Sequence, residues 1–294
     1  MCRVLQQQSR GQLDQALQTL LHMRKPPSSS TYISLLRECK QDRSLDQAKQ
    51  IQAHLAHHNI SLRGLLGDYL VMTLASCGAH DDALHVSYTL PCRTVYSGTA
   101  IISAFVDCRR PFDALRVYQY MLDDHIEPDR YTFVSLLKAC GSIPDLASGR
   151  KFHAQAVQVG IALDMFVGNS LVSMYGNCGE VFEAEKVFYE MPLHTTVSWN
   201  SMMSAYLVDG QGELALQLYS QMHTRGGSYD HATSVLALQA CSTLVEENNF
   251  CADRQLTGFL PLNIGRALHA DLRRTGFASQ IFIASTLVRL YGKV

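Results

Sequence analysis

The sequence predicts an all-α solenoid of stacked helix-turn-helix repeats, and three observations carry that prediction. The 294-residue chain lies over itself at a shift of 101, which sets Cys39 on Cys140 and Cys140 on Cys241, Pro91 on Pro192, Ala114 on Ala215, Met121 on Met222 and Asp129 on Asp230. Within each period, apolar residues recur at the spacing of one helical face, in short pairs divided by turn residues. A hairpin of that kind cannot bury its apolar face alone, so it requires neighbours of its own kind.

In chain order, residues 1–28 read as the back half of a repeat, because Leu13–Met23 matches the second helix of a later hairpin before Pro26, Pro27 and Ser28–Ser30 break it. Units then tile without gaps: 29–63, 64–94 and 95–129, followed by 130–164, 165–195 and 196–230, with lengths 35, 31 and 35 twice over. The best-formed hairpin is Val197–Met222. Trp199, Met202, Met203 and Tyr206 line one face of its first helix, and Ala215, Leu218, Tyr219 and Met222 line the second. Asp209, Gly210 and Gly212 make the turn, and Gly226 and Gly227 the stop.

A third cycle opens at His231 as a unit over 231–280. Its register resumes at a shift of 116, with Gly149 on Gly265, Arg150 on Arg266, His153 on His269, Gly160 on Gly276 and Tyr175 on Tyr291. An insertion of about 15 residues therefore falls within Thr243–Leu260, expected to loop out between two helices, with unspliced sequence as the alternative. Residues 281–294 read as a short unit cut off inside its first helix, the expected mark of a truncated product.

Composition excludes several classes. With 47% apolar and 17% charged residues the chain is not intrinsically disordered, and its apolar runs are far short of a membrane span. A net charge of −1 excludes indiscriminate nucleic-acid binding and confines any such contact to one face. The nine cysteines form no C-x-x-C pair; Cys39, Cys140 and Cys241 share one repeat position and Cys77 and Cys178 another, as small buried residues of a reducing compartment. The start carries no secretory signal, and Arg3 and Arg10 alone do not make a transit peptide.

Three stretches carry a family resemblance: the long variant YTFVSLLKACGSIPDLASGRKFHAQAVQVG (Tyr131–Gly160), the short variant FVGNSLVSMYGNCGEVFEAEKVFYEMP (Phe166–Pro192) and the standard variant VSWNSMMSAYLVDGQGELALQLYSQM (Val197–Met222). In this fixed order, over nearly the whole chain outside the insertion, they resemble plant pentatricopeptide repeat proteins of the subclass that alternates long, short and standard repeats. The resemblance implies a right-handed superhelical solenoid in a mitochondrion or chloroplast. It also implies sequence-specific binding of single-stranded RNA, one base per repeat, most often to mark sites of cytidine-to-uridine editing. The chemistry would then come from elsewhere, with editing accessory proteins or a deaminase as partners. No cofactor, metal, membrane or small-molecule substrate is expected, and the chain itself is not expected to be an enzyme.

In that family the fifth and last positions of a repeat set the base. Here Thr99 with Asp129 implies G, Asn200 with Asp230 implies U, and Asn169 with Thr195 a pyrimidine. Asp68 with Thr94 departs from the common pairs, and the long units carry Ile33, Val134 and Val235, which cannot hydrogen-bond a base. The legible output is G-x-pyrimidine-U over units 95–230.

Plainer uses stand beside these. Asn200 and Asn169 could be helix caps, and Asp129 and Asp230 caps or turn formers; the repeat register favours base reading. Trp199 reads as core, since Phe133 takes its place in another unit. His54, His57 and His58 share a face and read as solvated rather than metal-binding. His125-Ile126-Glu127 matches half of a zinc deaminase motif, but no P-C-x-x-C completes it. The alternatives in function are RNA stability, processing or splicing, and, in a different class, a protein-binding scaffold of the tetratricopeptide kind. RNA binding predicts Lys and Arg beside Thr99 and Asn200; a scaffold predicts an apolar or mixed groove.

Overall fold

The computed structural model describes residues 13–20, 25–227 and 230–250, and beyond these residues 265, 266, 269, 270, 273, 284, 287 and 288. Among the described residues every regular element is a helix. Expectations for Arg3, Arg10, Met23, Gly276, Tyr291 and the part of the insertion after Phe250 lie outside the described residues.

The helices are α1 (13–20), α2 (Ser29–Asp42), α3 (Leu45–His57), α4 (Leu65–Ser76), α5 (His80–Thr89), α6 (Val95–Asp107), α7 (Pro111–Asp123), α8 (Arg130–Ser142), α9 (Leu146–Gln158), α10 (Met165–Asn177), α11 (Val181–Glu190), α12 (Thr196–Val208), α13 (Gly212–Thr224) and α14 (His231–Phe250). Each stretch from 29–63 to 196–230 thus holds two helices. The second helices of the 31-residue stretches, α5 and α11, are 10 residues long, against 13 for α7 and α13, which accounts for most of the length difference.

The chain divides into two compact units, Met1–Ala139 and Cys140–Val294. In the first, α2 packs on α4 and α4 on α6, while α3, α5 and α7 pack behind them as a second row. Their shared core includes Tyr32, Leu36, Ile51, Leu74, Ile102 and Phe105. In the second unit α10 packs on α12 and α12 on α14, with α11 and α13 behind. Val172, Phe188, Met202, Met203 and Leu218 form its core. Each such side chain contributes about 1.5–3 kcal/mol by leaving water. Trp199 is core too: it is 4% exposed and meets the Phe188 ring edge-on at 5.2 Å.

Two glycines show why the rows pack so closely. Gly176 on α10 faces α12, where a Cβ would lie 2.5 Å from the Ala205 Cβ. Gly210 takes φ 77 in the turn between α12 and α13, a left-handed conformation open to glycine without a steric penalty. Hydroxyl groups stitch consecutive first helices together: Thr73 donates to the Leu36 carbonyl at 3.1 Å, Ser103 meets Ser135 at 3.2 Å, and Ser173 donates to Ser201 at 3.2 Å.

Two details differ from expectation, and a third removes the plainer use of two asparagines. First, α14 runs to Phe250, so the start of the insertion is helical where a loop was expected. Second, His54 is not on a solvated face. It is 6% exposed and its Nδ1 pairs with the Tyr32 hydroxyl at 2.9 Å, because its helix turns that side toward α2. Third, Asn200 and Asn169 are not caps: Thr195 caps α12 and Asp164 caps α10. Both asparagines sit one turn inside their helices, beyond reach of the unpaired first N–H groups.

Candidate nucleic-acid interface

The last residue of a unit is also the N-cap of the next helix, and this double duty builds the site. Thr94 and Thr195 form capping boxes with Ser97 and Ser198 at the starts of α6 and α12. The Asp129 carboxylate accepts from the Thr132 backbone N–H at 2.9 Å, and Asp230 accepts from the Thr233 N–H at 2.9 Å. Capping anchors each side chain at the mouth of a helix.

The fifth and last residues bond directly in the Asn200/Asp230 and Asp68/Thr94 pairs and through Thr132 in the Thr99/Asp129 pair. Asn200 Nδ2 donates to Asp230 Oδ1 at 3.2 Å, and Asn200 Oδ1 accepts from the Thr233 hydroxyl at 2.8 Å. Thr99 Oγ1 lies 2.6 Å from Thr132 Oγ1, which in turn donates to Asp129 Oδ1 at 2.9 Å. Thr94 Oγ1 donates to Asp68 Oδ1 at 2.7 Å, but Asp68 is 3% exposed and its carboxylate faces inward. Asn169 is 9% exposed, with an Oδ1 that has no hydrogen-bond partner among the described residues. Thr99, Asp129, Thr195 and Asn200 are half-buried and Asp230 is exposed, so both the Thr99/Asp129 and Asn200/Asp230 pairs are accessible. Burial raises the Asp230 pKa, but the Thr233 N–H, its hydroxyl and the Asn200 amide outweigh that and hold the carboxyl below its ordinary value.

In the first unit Thr99 and Asp129 open into a groove of about 530 Å³. Its walls carry Lys40, Arg43 and His80, but also Asp107 and Asp129, so the charge is mixed. Several cations are held by neighbouring carboxylates: Lys138 pairs with Asp107 at 2.7 Å, Arg110 with Asp81 at 3.0 Å and Lys49 with Asp82 at 2.8 Å. In the second unit Arg150 pairs with Glu180 at 3.2 Å. Such exposed pairs stabilise little.

One recurring feature was missed from sequence. In the five units from 64–94 to 196–230 the second residue is an apolar side chain left 47–62% exposed, namely Leu65, Tyr96, Tyr131, Phe166 and Val197, whereas unit 29–63 has Ser30 there. Tyr96 and Tyr131 line the groove beside Thr99, and the Arg130 guanidinium lies over the Tyr131 ring at 4.8 Å. The signal was available, since Val197 falls off the Trp199–Tyr206 stripe and yet stays apolar at the same register in unit after unit.

Among the described residues no group of His, Cys, Asp and Glu could hold a metal ion, and no helix is long and apolar enough to cross a membrane. His125 lies in an exposed turn at φ 57. Burial pushes the Cys39, Cys140 and Cys241 thiols up to about 12, which leaves them protonated and unreactive.

The repeat geometry has counterparts. A family model described as the PPR repeat family matches residues 93–142 and 194–243, and a second, the PPR repeat, matches 169–194. Over these residues the chain is similar to pentatricopeptide repeats. A chloroplastic pentatricopeptide repeat-containing protein of Arabidopsis thaliana is 30% identical over 285 residues, covering 96% of this chain and 31% of its own length. The chloroplastic CRR2 of the same plant is 34% identical over 225 residues, with 74% and 34% covered. A mitochondrial relative is 29% identical over 238 residues, with 78% and 31% covered. This chain therefore spans about a third of the length of these curated relatives, whose organellar locations agree with the location expected from sequence. Among solved structures, the maize pentatricopeptide repeat protein PPR10 superposes with a TM-score of 0.65 at 17% identity, covering 97% of this chain and 44% of that one. PPR10 in complex with an 18-nt psaJ RNA element gives 0.51 at 17% identity, with 97% and 54% covered. At that identity the likeness establishes the fold alone, an all-helical solenoid like that of PPR10.

Proposed function

We propose that this pentatricopeptide array binds single-stranded RNA sequence-specifically in a plant organelle, and that it selects sites for cytidine-to-uridine editing whose chemistry is supplied elsewhere. The observation that carries the reading is the recurrence of one accessible polar pair, Thr99 with Asp129 and Asn200 with Asp230, at the same register of the array. In the first unit that pair lies beside exposed Tyr96 and Tyr131. The apolar side chains at the second positions stack bases, and the polar pairs read their edges. The neighbouring RNA-bound PPR10 adds support by analogy of fold.

The proposed register is G at unit 95–129, an unread base at 130–164, a pyrimidine at 165–195 through Asn169 and Thr195, and U at 196–230. Asp68 and Thr94 are bonded to each other and add little reading. The editing role rests on the alternation of long, short and standard units; RNA stability, processing or splicing would use the same site. A deaminase or editing accessory protein is the proposed partner. A protein-binding scaffold is the second reading, and the mixed charge of the groove favours it.

Fluorescence anisotropy with a labelled single-stranded RNA carrying G-N-C-U, compared with its duplex and with a scrambled strand, separates the two. RNA reading predicts preference for the matched single strand and weakening with salt. Equal or undetectable binding to all three would leave the scaffold.

A further inference from the structure

Thr132 and Thr233 belong to the units after the reading pairs, at the third position, and both are 0% exposed. Neither can touch a ligand directly. Each nevertheless bonds both members of the pair before it. Thr132 Oγ1 meets Thr99 Oγ1 at 2.6 Å and Asp129 Oδ1 at 2.9 Å; Thr233 Oγ1 meets Asn200 Oδ1 at 2.8 Å and Asp230 Oδ1 at 2.9 Å. We propose that Thr132 and Thr233 are positioning residues that set the hydrogen-bond polarity of the adjoining pairs, and so determine which base each pair accepts. This rests on the RNA reading above.

The number of hydrogens on each group fixes the polarity of the pair. A hydroxyl has one, and a carboxylate has none. Asp129 can only accept, so the Thr132 hydrogen goes to Asp129 Oδ1. The Thr132 oxygen then accepts, from the Asp129 backbone N–H at 3.3 Å and from the hydroxyl of Thr99. With its only hydrogen turned toward Thr132, Thr99 offers the groove lone pairs alone. The bonds to Asp129 fall on Oδ1, which leaves Oδ2 as a second acceptor. The pair is acceptor-only. Guanine is the base that sets two donor nitrogens, N1–H and N2–H, side by side on its Watson–Crick edge.

At the other pair the same threonine gives a different result, because the fifth residue is an amide. The Asn200 nitrogen faces Asp230 Oδ1, since the reverse orientation would set oxygen against carboxylate, and the single Thr233 hydrogen is shared between Asn200 Oδ1 at 2.8 Å and Asp230 Oδ1 at 2.9 Å. One amide hydrogen is used and one remains. That pair offers a donor from Asn200 and an acceptor from Asp230. Uracil answers with N3–H beside a carbonyl oxygen. One buried threonine thus yields an acceptor-only site next to threonine and a mixed site next to asparagine.

The test is selection of bound RNA from a random pool by the full chain, with Thr132→Val, Thr132→Ser, Thr233→Val and Thr99→Asn, each checked for helix content by circular dichroism. Thr132→Val keeps shape and removes the hydroxyl. Thr99 is then free to donate, and G selectivity at unit 95–129 is expected to fall roughly five-fold, the weight of one net hydrogen bond. The preference at unit 196–230 should stay, and Thr132→Ser should restore G. Thr233→Val should relax unit 196–230 alone. Unchanged G selectivity in a folded Thr132→Val, or equal loss at both units, overturns the proposal. If Thr99→Asn also leaves the consensus unchanged, base reading by the pair itself fails; if Thr99→Asn shifts it while Thr132→Val does not, only the role of Thr132 fails.

Discussion

Asn200 holds Asp230 from thirty residues away: its amide nitrogen donates to the carboxylate at 3.2 Å while the same carboxylate caps α14 through the Thr233 N–H. In the proposed reading one side chain serves folding and recognition together. Asp230→Ala should lower stability by about 1 kcal/mol through the lost cap and also erase the base preference of unit 196–230. Thermal denaturation and pool selection on the same variant read the two effects. A stability loss with the preference intact would reduce Asp230 to a cap.

The exposed tyrosines make the opposite prediction. Tyr96 and Tyr131 stand 62% and 52% exposed at the groove, so truncation removes little buried area. Tyr96→Ala should leave the melting temperature nearly unchanged and weaken single-stranded RNA binding about ten-fold, the scale of one base stacked on an aromatic ring. An unaltered affinity would mean that Tyr96 meets no base.

The contact at Gly176 predicts the reverse pattern. A side chain there meets Ala205 backbone as well as its Cβ, at 2.9 and 2.5 Å. Gly176→Val should cost about 1–3 kcal/mol in denaturant unfolding, as overpacking at a helix crossing does. A neutral result would show that α10 and α12 can separate without penalty.

His153 gives a pH dependence. Burial holds its pKa below the ordinary value, against Glu183 and Glu190 and with help from Lys186, and its Nδ1 pairs with the Tyr175 hydroxyl at 2.8 Å. The folded pKa lies below the unfolded one, near 6.5, so the unfolded chain takes the proton first. Stability is complete above that value and is lost as pH falls from it toward the folded pKa. Melting followed from about pH 7.5 to about pH 5.5 should show His153→Gln losing less than the wild type. Parallel curves would remove His153 from the account.

Much of this molecule was legible in its sequence, for a local reason. Helix faces such as Trp199–Tyr206 and turns such as that at Gly210 are written within a few residues, and a repeat copies them until chance is excluded. The pairing of Asn200 with Asp230 was reached by family resemblance, and their contact is geometric support for it. What stayed hidden depends on neighbouring units. Nothing local marks His54 as buried against Tyr32, or Thr233 as a partner of Asn200 thirty-three residues before it. The same applies to caps: Asp129 and Asp230 do cap, but Asn169 and Asn200 do not, because Asp164 and Thr195 already hold those helix starts.

The central claim is that Thr99 and Asp129 read a base. It is tested most directly by selecting bound RNA from a random pool with wild-type chain and with Thr99→Asn. The account predicts G for the wild type at the position of unit 95–129 and U for the variant, with the rest of the consensus in place. An identical consensus from both chains would contradict it.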